Sequence, residues 1–302
     1  MAALEKQILK DVSRSFYLSM RLLPKPMREP ISLGYLLARA SDTLADTEGL
    51  DSQLRFDMLA DMANILDGAD RGDWLRRLSE DVAPQQKHTG EKVLLQNMQG
   101  VFDWLDAVES EPIKQAVLTV MQHILHGQRL DIERFELRSD FQFSEDAELE
   151  QYCYLVAGCV GEFWTTIGDL TLPDFSSVTQ AQLMGWGTNY GKGLQLINIL
   201  RDLPNDLKAG RCYLPNVNAQ DTDALMAEST RWRSRARSYL NDGTSYAKSL
   251  TGRRTRMATA LPGLIGELTL DLIDAADWET LSQGVKVKRN EVYRCAWNAL
   301  IS

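Results

Sequence analysis

The stretch Gly193–Asp206, GLQLINILRDLPND, is where the fold class is decided. Leu194, Leu196, Ile197, Ile199, Leu200 and Leu203 spread around a helical wheel, while Gln195, Asn198, Asp202 and Asp206 recur at spacings of three, four and four. At 3.6 residues per turn those four polar residues form one narrow stripe. A surface helix would carry a broad polar face rich in Lys and Glu. The narrow amide and carboxylate stripe instead points to a helix buried in protein, with one side lining a wet cavity. Pro204 lacks a backbone donor and is expected to end or kink this helix inside the motif.

Working outward, the same spacing of three and four recurs along most of the chain, and period-two alternation is hard to find. The expected fold class is therefore all-α. Periodicity predicts helices over about Leu4 to Met20, Met27 to Ala45, Ser52 to Leu66, Glu91 to Val108 and Pro112 to Leu137. It predicts five more over about Ala147 to Thr171, Val178 to Asp206, Thr222 to Thr244, Arg254 to Ala275 and Lys288 to Ile301. Breakers such as Ala83-Pro84 and Leu172-Pro173 separate them, and none is long enough to be a flexible linker. One domain over residues 1–302 is expected.

Composition narrows the partners. The chain carries 42 Asp plus Glu against 33 Lys plus Arg, a net charge of -9 that repels a phosphate backbone and argues against nucleic acid. Cys153, Cys159, Cys212 and Cys295 include no C-x-x-C pair, and His88, His123 and His126 form no metal-ligand cluster with them. Reduced thiols in a cytoplasm are the expectation. Charge interrupts the start MAALEKQILKDVSRSF where a signal peptide needs an apolar run. The longest uncharged stretch, Phe175 to Gly191, is rich in Ser, Thr, Gln and Gly, so any membrane association is expected to be peripheral.

A second helix, PMREPISLGYLLARASDTLADT, lines up Tyr35, Arg39, Asp42 and Asp46 at spacings of four, three and four. Carboxylates one turn apart lie about 6 Å from each other and repel by roughly 3 kcal/mol at an effective dielectric of about 20. Either Arg39 and Arg201 offset that repulsion or a bound Mg²⁺ does, since this ion takes carboxylate oxygens and keeps positions for water and substrate phosphates. With 42 acidic residues, chance alone places about six acidic pairs four residues apart, so one pair is weak evidence. Two pairs, each beside an arginine on an otherwise apolar helix, are stronger. Arg14, Arg39, Arg201 and Arg211 are suited to hold diphosphate oxygens bidentately, although each alone is more often a surface ion pair. Small residues at Ala157, Gly158 and Gly161, and at Gly185, Gly187, Gly191 and Gly193, either open a tunnel for a hydrocarbon chain or allow tight helix packing.

Three segments in order, YLLARASDTLAD from Tyr35, QYCYLVAGCVG from Gln151 and NILRDLPNDLKAGRCYLP from Asn198, resemble the squalene and phytoene synthases. These are head-to-head prenyltransferases with the all-α isoprenoid synthase fold. The likeness runs from SRSF at Ser13 to VKVKR at Val285, and the SRSF and DTLAD versions look closer to bacterial-type squalene synthases. It implies a single-domain helical bundle with a central cavity. Asp42, Asp46, Asn198, Asp202 and Asp206 would bind Mg²⁺ and the diphosphates of two farnesyl diphosphates. Arg14, Ser15, Arg39, Gln195, Asn198, Arg201 and Arg211 would contact substrate, and Tyr35 and Tyr152 would sit near the cationic intermediates. Lys286, Lys288 and Arg289 resemble a segment that contacts NADPH phosphate. Many squalene synthases read D-x-x-E-D at the first motif, and Ala45 in place of the extra acid leaves the number of metal ions open.

The reaction implied is Mg²⁺-dependent condensation through presqualene diphosphate, then reduction by NADPH to squalene. Without reduction the product would be presqualene diphosphate, dehydrosqualene or, from longer substrates, phytoene. A hydrocarbon product implies peripheral membrane contact for release. A catalytically silent helical scaffold is the reading from another class, and four carboxylates beside arginines on apolar helices argue against it.

Overall fold

The computed structural model describes residues 8–9, 12, 19–47, 49–138, 141–288, 290–292 and 294–295. The expected sites Arg14, Ser15 and Arg289 lie outside the described residues. Among the described residues there is no β-strand, only an isolated antiparallel bridge between Ser176 and Leu250. The all-α expectation is met. The chain forms two compact units, Met1–Ser139 with Thr166–Leu172, and Asp140–Thr165 with Pro173–Ser302.

In the first unit, α1 spans Lys25–Ala45, α2 Ser52–Leu66, α3 Gly72–Arg77, α4 Thr89–Gln96, α5 Met98–Asp106 and α6 Glu111–Ile132. Asp51 caps α2 by accepting from the Leu54 amide at 3.1 Å. Helices α1, α2 and α6 pack on one another around Leu36, Leu37, Leu44, Met58, Leu59, Met62, Val117 and Met121, all fully buried. Each such side chain contributes about 1.5–3 kcal/mol on burial, so the apolar repeat fixes how α1 is rotated and therefore which of its residues stay accessible. The single helix predicted over Glu91–Val108 is two, α4 and α5, broken at Asn97. The Asn97 amide donates to the Val93 carbonyl at 2.7 Å, a local bond of the kind by which Asn competes with helix continuation.

In the second unit, α7 spans Asp146–Cys153, α9 Gln180–Lys208, α10 Thr222–Ser249, α11 Arg253–Asp274 and α12 Trp278–Gln283. Between α7 and α8 (Cys159–Thr171, whose last turns belong to the first unit) lies a π-helical turn, Tyr154–Gly158. Helix α9 packs along α10 and α11 around Leu196, Leu200, Leu203, Trp232, Leu240, Tyr246 and Leu270. The small residues serve close approach. A Cβ on Gly161 would fall 1.9 Å from the Gly187 carbonyl oxygen, and one on Gly191 2.2 Å from that of Ala157. Of the two readings open for these glycines, tight helix packing is the one observed, backbone to backbone at Gly161, Gly187 and Gly191 and against side chains at Gly158 and Gly193; Gly185 faces open space.

Pro204 does not end α9, which runs on to Lys208. Proline removes one donor, and the loss at a single turn is outweighed by the burial of Leu200, Leu203 and Pro204 itself. The helix ends where glycine permits. Gly210 takes φ +79°, its amide donates to the Leu207 carbonyl at 3.0 Å, and the Arg211 amide donates to that of Asp206 at 2.8 Å. This paired closure needs a left-handed residue and ties Arg211 back to Asp206.

Candidate active site

In the second half of α1 the expected stripe lies on a line left accessible among buried residues. Tyr35, Arg39 and Asp42 are half-buried and Asp46 is exposed, while Leu36, Leu37, Ala40, Ser41, Thr43 and Leu44 between them are buried. The Arg39 guanidinium donates to Asp42 Oδ2 at 2.8 Å and, on its other arm, to Glu91 at the start of α4. Glu91 was not anticipated, because it lies 52 residues from Arg39 and is brought there only by the packing of α4. Burial opposes the charge on Arg39, but Asp42 and Glu91 outweigh it and hold the guanidinium above its usual range.

Asp42 keeps 47% of its side chain accessible, yet desolvation by the surrounding protein, then repulsion from Asp46, pushes its carboxyl up to about 6. Accessible and desolvated together describe a carboxylate with protein close around it, not one on a convex surface. Asp46 adds to the desolvation, and Arg39 opposes both through its charge and its hydrogen bond. The Tyr35 hydroxyl donates to the Val12 carbonyl at 3.1 Å, and burial pushes its phenol up to about 12, so at neutral pH it is an uncharged ring with a committed hydroxyl.

In the second unit α9 repeats the design. Asn198 is exposed and Gln195, Arg201, Asp202 and Asp206 are half-buried, against buried Leu196, Ile197, Ile199, Leu200 and Leu203. Arg201 grips Asp202 through both arms, Nε to Oδ1 at 2.9 Å and Nη2 to Oδ2 at 2.5 Å, and this hydrogen bonding holds the guanidinium above its usual range. The Asn198 amide approaches Gln195 Oε1 at 3.5 Å.

Tyr152 is buried and stacks on Tyr213 at 5.1 Å between ring centroids, with Phe143 against both at 6.3 and 6.2 Å. Two residues before it, Glu150 accepts from the Tyr239 hydroxyl at 2.7 and 2.8 Å and pairs with Lys192 and with Arg235, the latter at 3.4 Å. This anchors the end of α7 to α9 and α10. Tyr213, Phe143 and Glu150 are further residues that periodicity does not reveal. Lys286 and Lys288 are exposed on the non-helical segment after α12.

Among the described residues no three His, Cys, Asp or Glu side chains gather into a ready metal cage. Each aspartate pair offers two carboxylates, which is the protein share Mg²⁺ ordinarily takes when water and substrate phosphate supply the rest. The raised Asp42 carboxyl fits that role, since a desolvated carboxylate beside a second acid is one whose charged form a divalent cation favours.

The squalene/phytoene synthase family profile matches residues 9–291. The 15-cis-phytoene synthase of a Synechocystis species is 27% identical over 92% of this chain and 78% of its own. The presqualene diphosphate synthase of Rhodopseudomonas palustris is 26% identical over 71% of this chain and 65% of its own. Among solved structures, a ligand complex of TcSQS superposes with a TM-score of 0.78 at 19% identity, covering 99% of this chain and 86% of that one, which shows the shared all-α fold. The chain belongs to the squalene/phytoene synthase family, whose members are prenyltransferases that join prenyl diphosphates head to head.

Proposed function

We propose that this chain, acting as one isoprenoid-synthase-like domain over residues 1–302, condenses two farnesyl diphosphates head to head through presqualene diphosphate to squalene, with Mg²⁺ as cofactor and NADPH as the source of the hydride that squalene requires. The observation that carries the reading is the repeated pairing of Arg39 with Asp42 and Arg201 with Asp202 on lines left accessible between buried residues of α1 and α9. Asp42 and Asp46 would hold Mg²⁺ at the first motif, and Asn198, Asp202 and Asp206 at the second. Bound there, the ion supplies charge stabilisation for a departing diphosphate. Arg39, Arg201 and Arg211 present planar forks that match phosphate oxygens and stay charged throughout. Tyr35, uncharged with its hydroxyl held by Val12, is a poor base and offers instead a ring face to an allylic cation. The buried stack of Tyr152, Tyr213 and Phe143 supplies an apolar wall that excludes water. The proton lost in closing the cyclopropane then goes to released diphosphate.

A second reading stops short of reduction, giving presqualene diphosphate, dehydrosqualene or phytoene, and the names of the cyanobacterial and Rhodopseudomonas relatives favour it. Exposed Lys286 and Lys288 would meet a phosphate of NADPH, whose hydride the squalene reading requires. No described helix is long and apolar enough to cross a membrane, and we place product release at a bilayer surface facing the cytoplasm. The test is incubation with farnesyl or geranylgeranyl diphosphate and Mg²⁺, with and without NADPH, and identification of the lipids. NADPH-dependent squalene supports the first reading; NADPH-independent products support the second; consumption of neither substrate overturns both.

A further inference from the structure

The last turn of α1, which carries Asp42 and leads into Asp46, has donors for every terminal carbonyl. Asp42 O accepts from the Asp46 amide at 2.9 Å and Leu44 O from the Thr47 amide at 3.5 Å. Thr43 O accepts from Thr47 Oγ1 at 2.7 Å and Gln86 Nε2 at 3.3 Å, and Gln86 also donates to Thr47 Oγ1 at 2.6 Å. The carbonyl of Ala45, between the two aspartates, is taken by Arg55 Nη1 at 2.5 Å. Helix ends leave these groups without an intrahelical partner, to be met by side chains, water or a tightened last turn.

Arg55 comes from the first turn of α2 and is only 9% exposed. Glu136, in the π-helical turn Glu133–Leu137 after α6, holds its fork through both arms, one at 3.3 Å. Ser52 Oγ accepts from Arg55 Nη2 at 3.1 Å and donates to Glu136 Oε2 at 2.6 Å. If packing alone were needed here, an apolar side chain would avoid the desolvation of a buried ion pair. What the guanidinium adds is a directed bond to one backbone oxygen, joining the ends of α1 and α6 to the start of α2. Glu136 offsets its charge, so the clamp does not repel a cation.

We propose that Arg55 is a positioning residue for the first carboxylate pair: by gripping the Ala45 carbonyl, it sets how Asp42 and Asp46 are presented to a metal ion. This rests on the Mg²⁺ reading above. Ala45 has no side chain with which to brace the turn, and the brace comes through its backbone.

The test uses the full chain as wild type, Arg55→Lys, Glu136→Gln and Asp42→Asn. Mn²⁺ binding in the presence of inorganic pyrophosphate is followed by the electron paramagnetic resonance of free Mn²⁺, and the Mg²⁺ dependence of farnesyl diphosphate turnover is measured alongside. Arg55→Lys keeps the charge and loses the fork; Glu136→Gln loosens the fork with less risk to folding. Outer partners of metal ligands typically change affinity about 10–100-fold, so both midpoints are expected to rise about tenfold in each variant, with kcat at saturating Mg²⁺ within about threefold of wild type. A merely structural role would lower melting temperature and kcat and leave the metal midpoint in place. A folded Glu136→Gln protein with its midpoints within about twofold of wild type overturns the proposal. Normal Mn²⁺ binding and turnover by Asp42→Asn would instead overturn the metal reading, an outcome that neither clamp variant can produce.

Discussion

Replacing Asp42 by Asn separates what that carboxylate does for catalysis from what it does to stability. Its carboxyl is raised from 3.8 to about 6 by desolvation and by Asp46. The native protein therefore keeps a proton that the unfolded chain releases, and the associated stability is fully present below about pH 4 and lost as pH rises through about 6. For a sequestered group that shift corresponds to roughly 3 kcal/mol. The side chain is 47% exposed, and solvent screening reduces the figure to about 1 kcal/mol. Asn cannot ionise, and its amide oxygen still accepts from Arg39. Asp42→Asn is thus expected to be about 1 kcal/mol more stable than wild type at pH 7.5 without Mg²⁺, with the gain gone by about pH 4. Urea denaturation at the two pH values measures this. With Mg²⁺ and pyrophosphate present, wild type is expected to gain more than the variant, and prenyl transfer by the variant is expected to vanish. A variant less stable than wild type at pH 7.5, or one with near-normal turnover, refutes the account of Asp42 as a desolvated metal ligand.

Asp206→Asn in the second motif is expected to remain folded by circular dichroism and to lose turnover; near-normal product formation removes Asp206 from the metal set. Glu91→Gln deletes a charge that raises Asp42, so the Asp42 midpoint, followed by carboxyl ¹³C titration, is expected to move below about 6. Gly161→Ala forces a Cβ to within 1.9 Å of a backbone oxygen, and thermal unfolding is expected to show a loss of about 3 kcal/mol. Gly185→Ala, in the other stretch of small residues, on α9, and facing open space, is expected to gain roughly 0.5–1 kcal/mol from helix propensity.

The two chemical stripes were legible because a helix turns sequence spacing into spatial adjacency. Tyr35, Arg39, Asp42 and Asp46 share a line on α1 for the same reason that Gln195, Asn198, Asp202 and Asp206 share one on α9, and burial of the residues between them left those lines accessible. Helix boundaries fell where expected at the end of α1, Ala45, and at the start of α2, Ser52, which Asp51 caps. They failed where the decision was tertiary. Pro204 sits inside α9 despite its missing donor, and the turn Tyr154–Gly158 takes an extra residue without disturbing the apolar repeat around it.

What the spacing could not reveal is the set of residues that hold each stripe in place. Glu91 reaches Arg39 from 52 positions away, and Glu136 reaches Arg55 from 81. Neither pairing leaves a local mark, since an acid on a helix reads as solvated surface until the neighbouring helix is placed. Arg55 is the harder case, because its target is a backbone carbonyl that every residue possesses, and no residue type at position 45 would announce it. Reading the site from the sequence therefore recovers the groups able to do chemistry and misses those that fix their geometry. Groups of the second kind mark themselves in the fold at backbone oxygens of helix ends, where a buried side chain from another element, as Arg55 does at Ala45, supplies the missing donor.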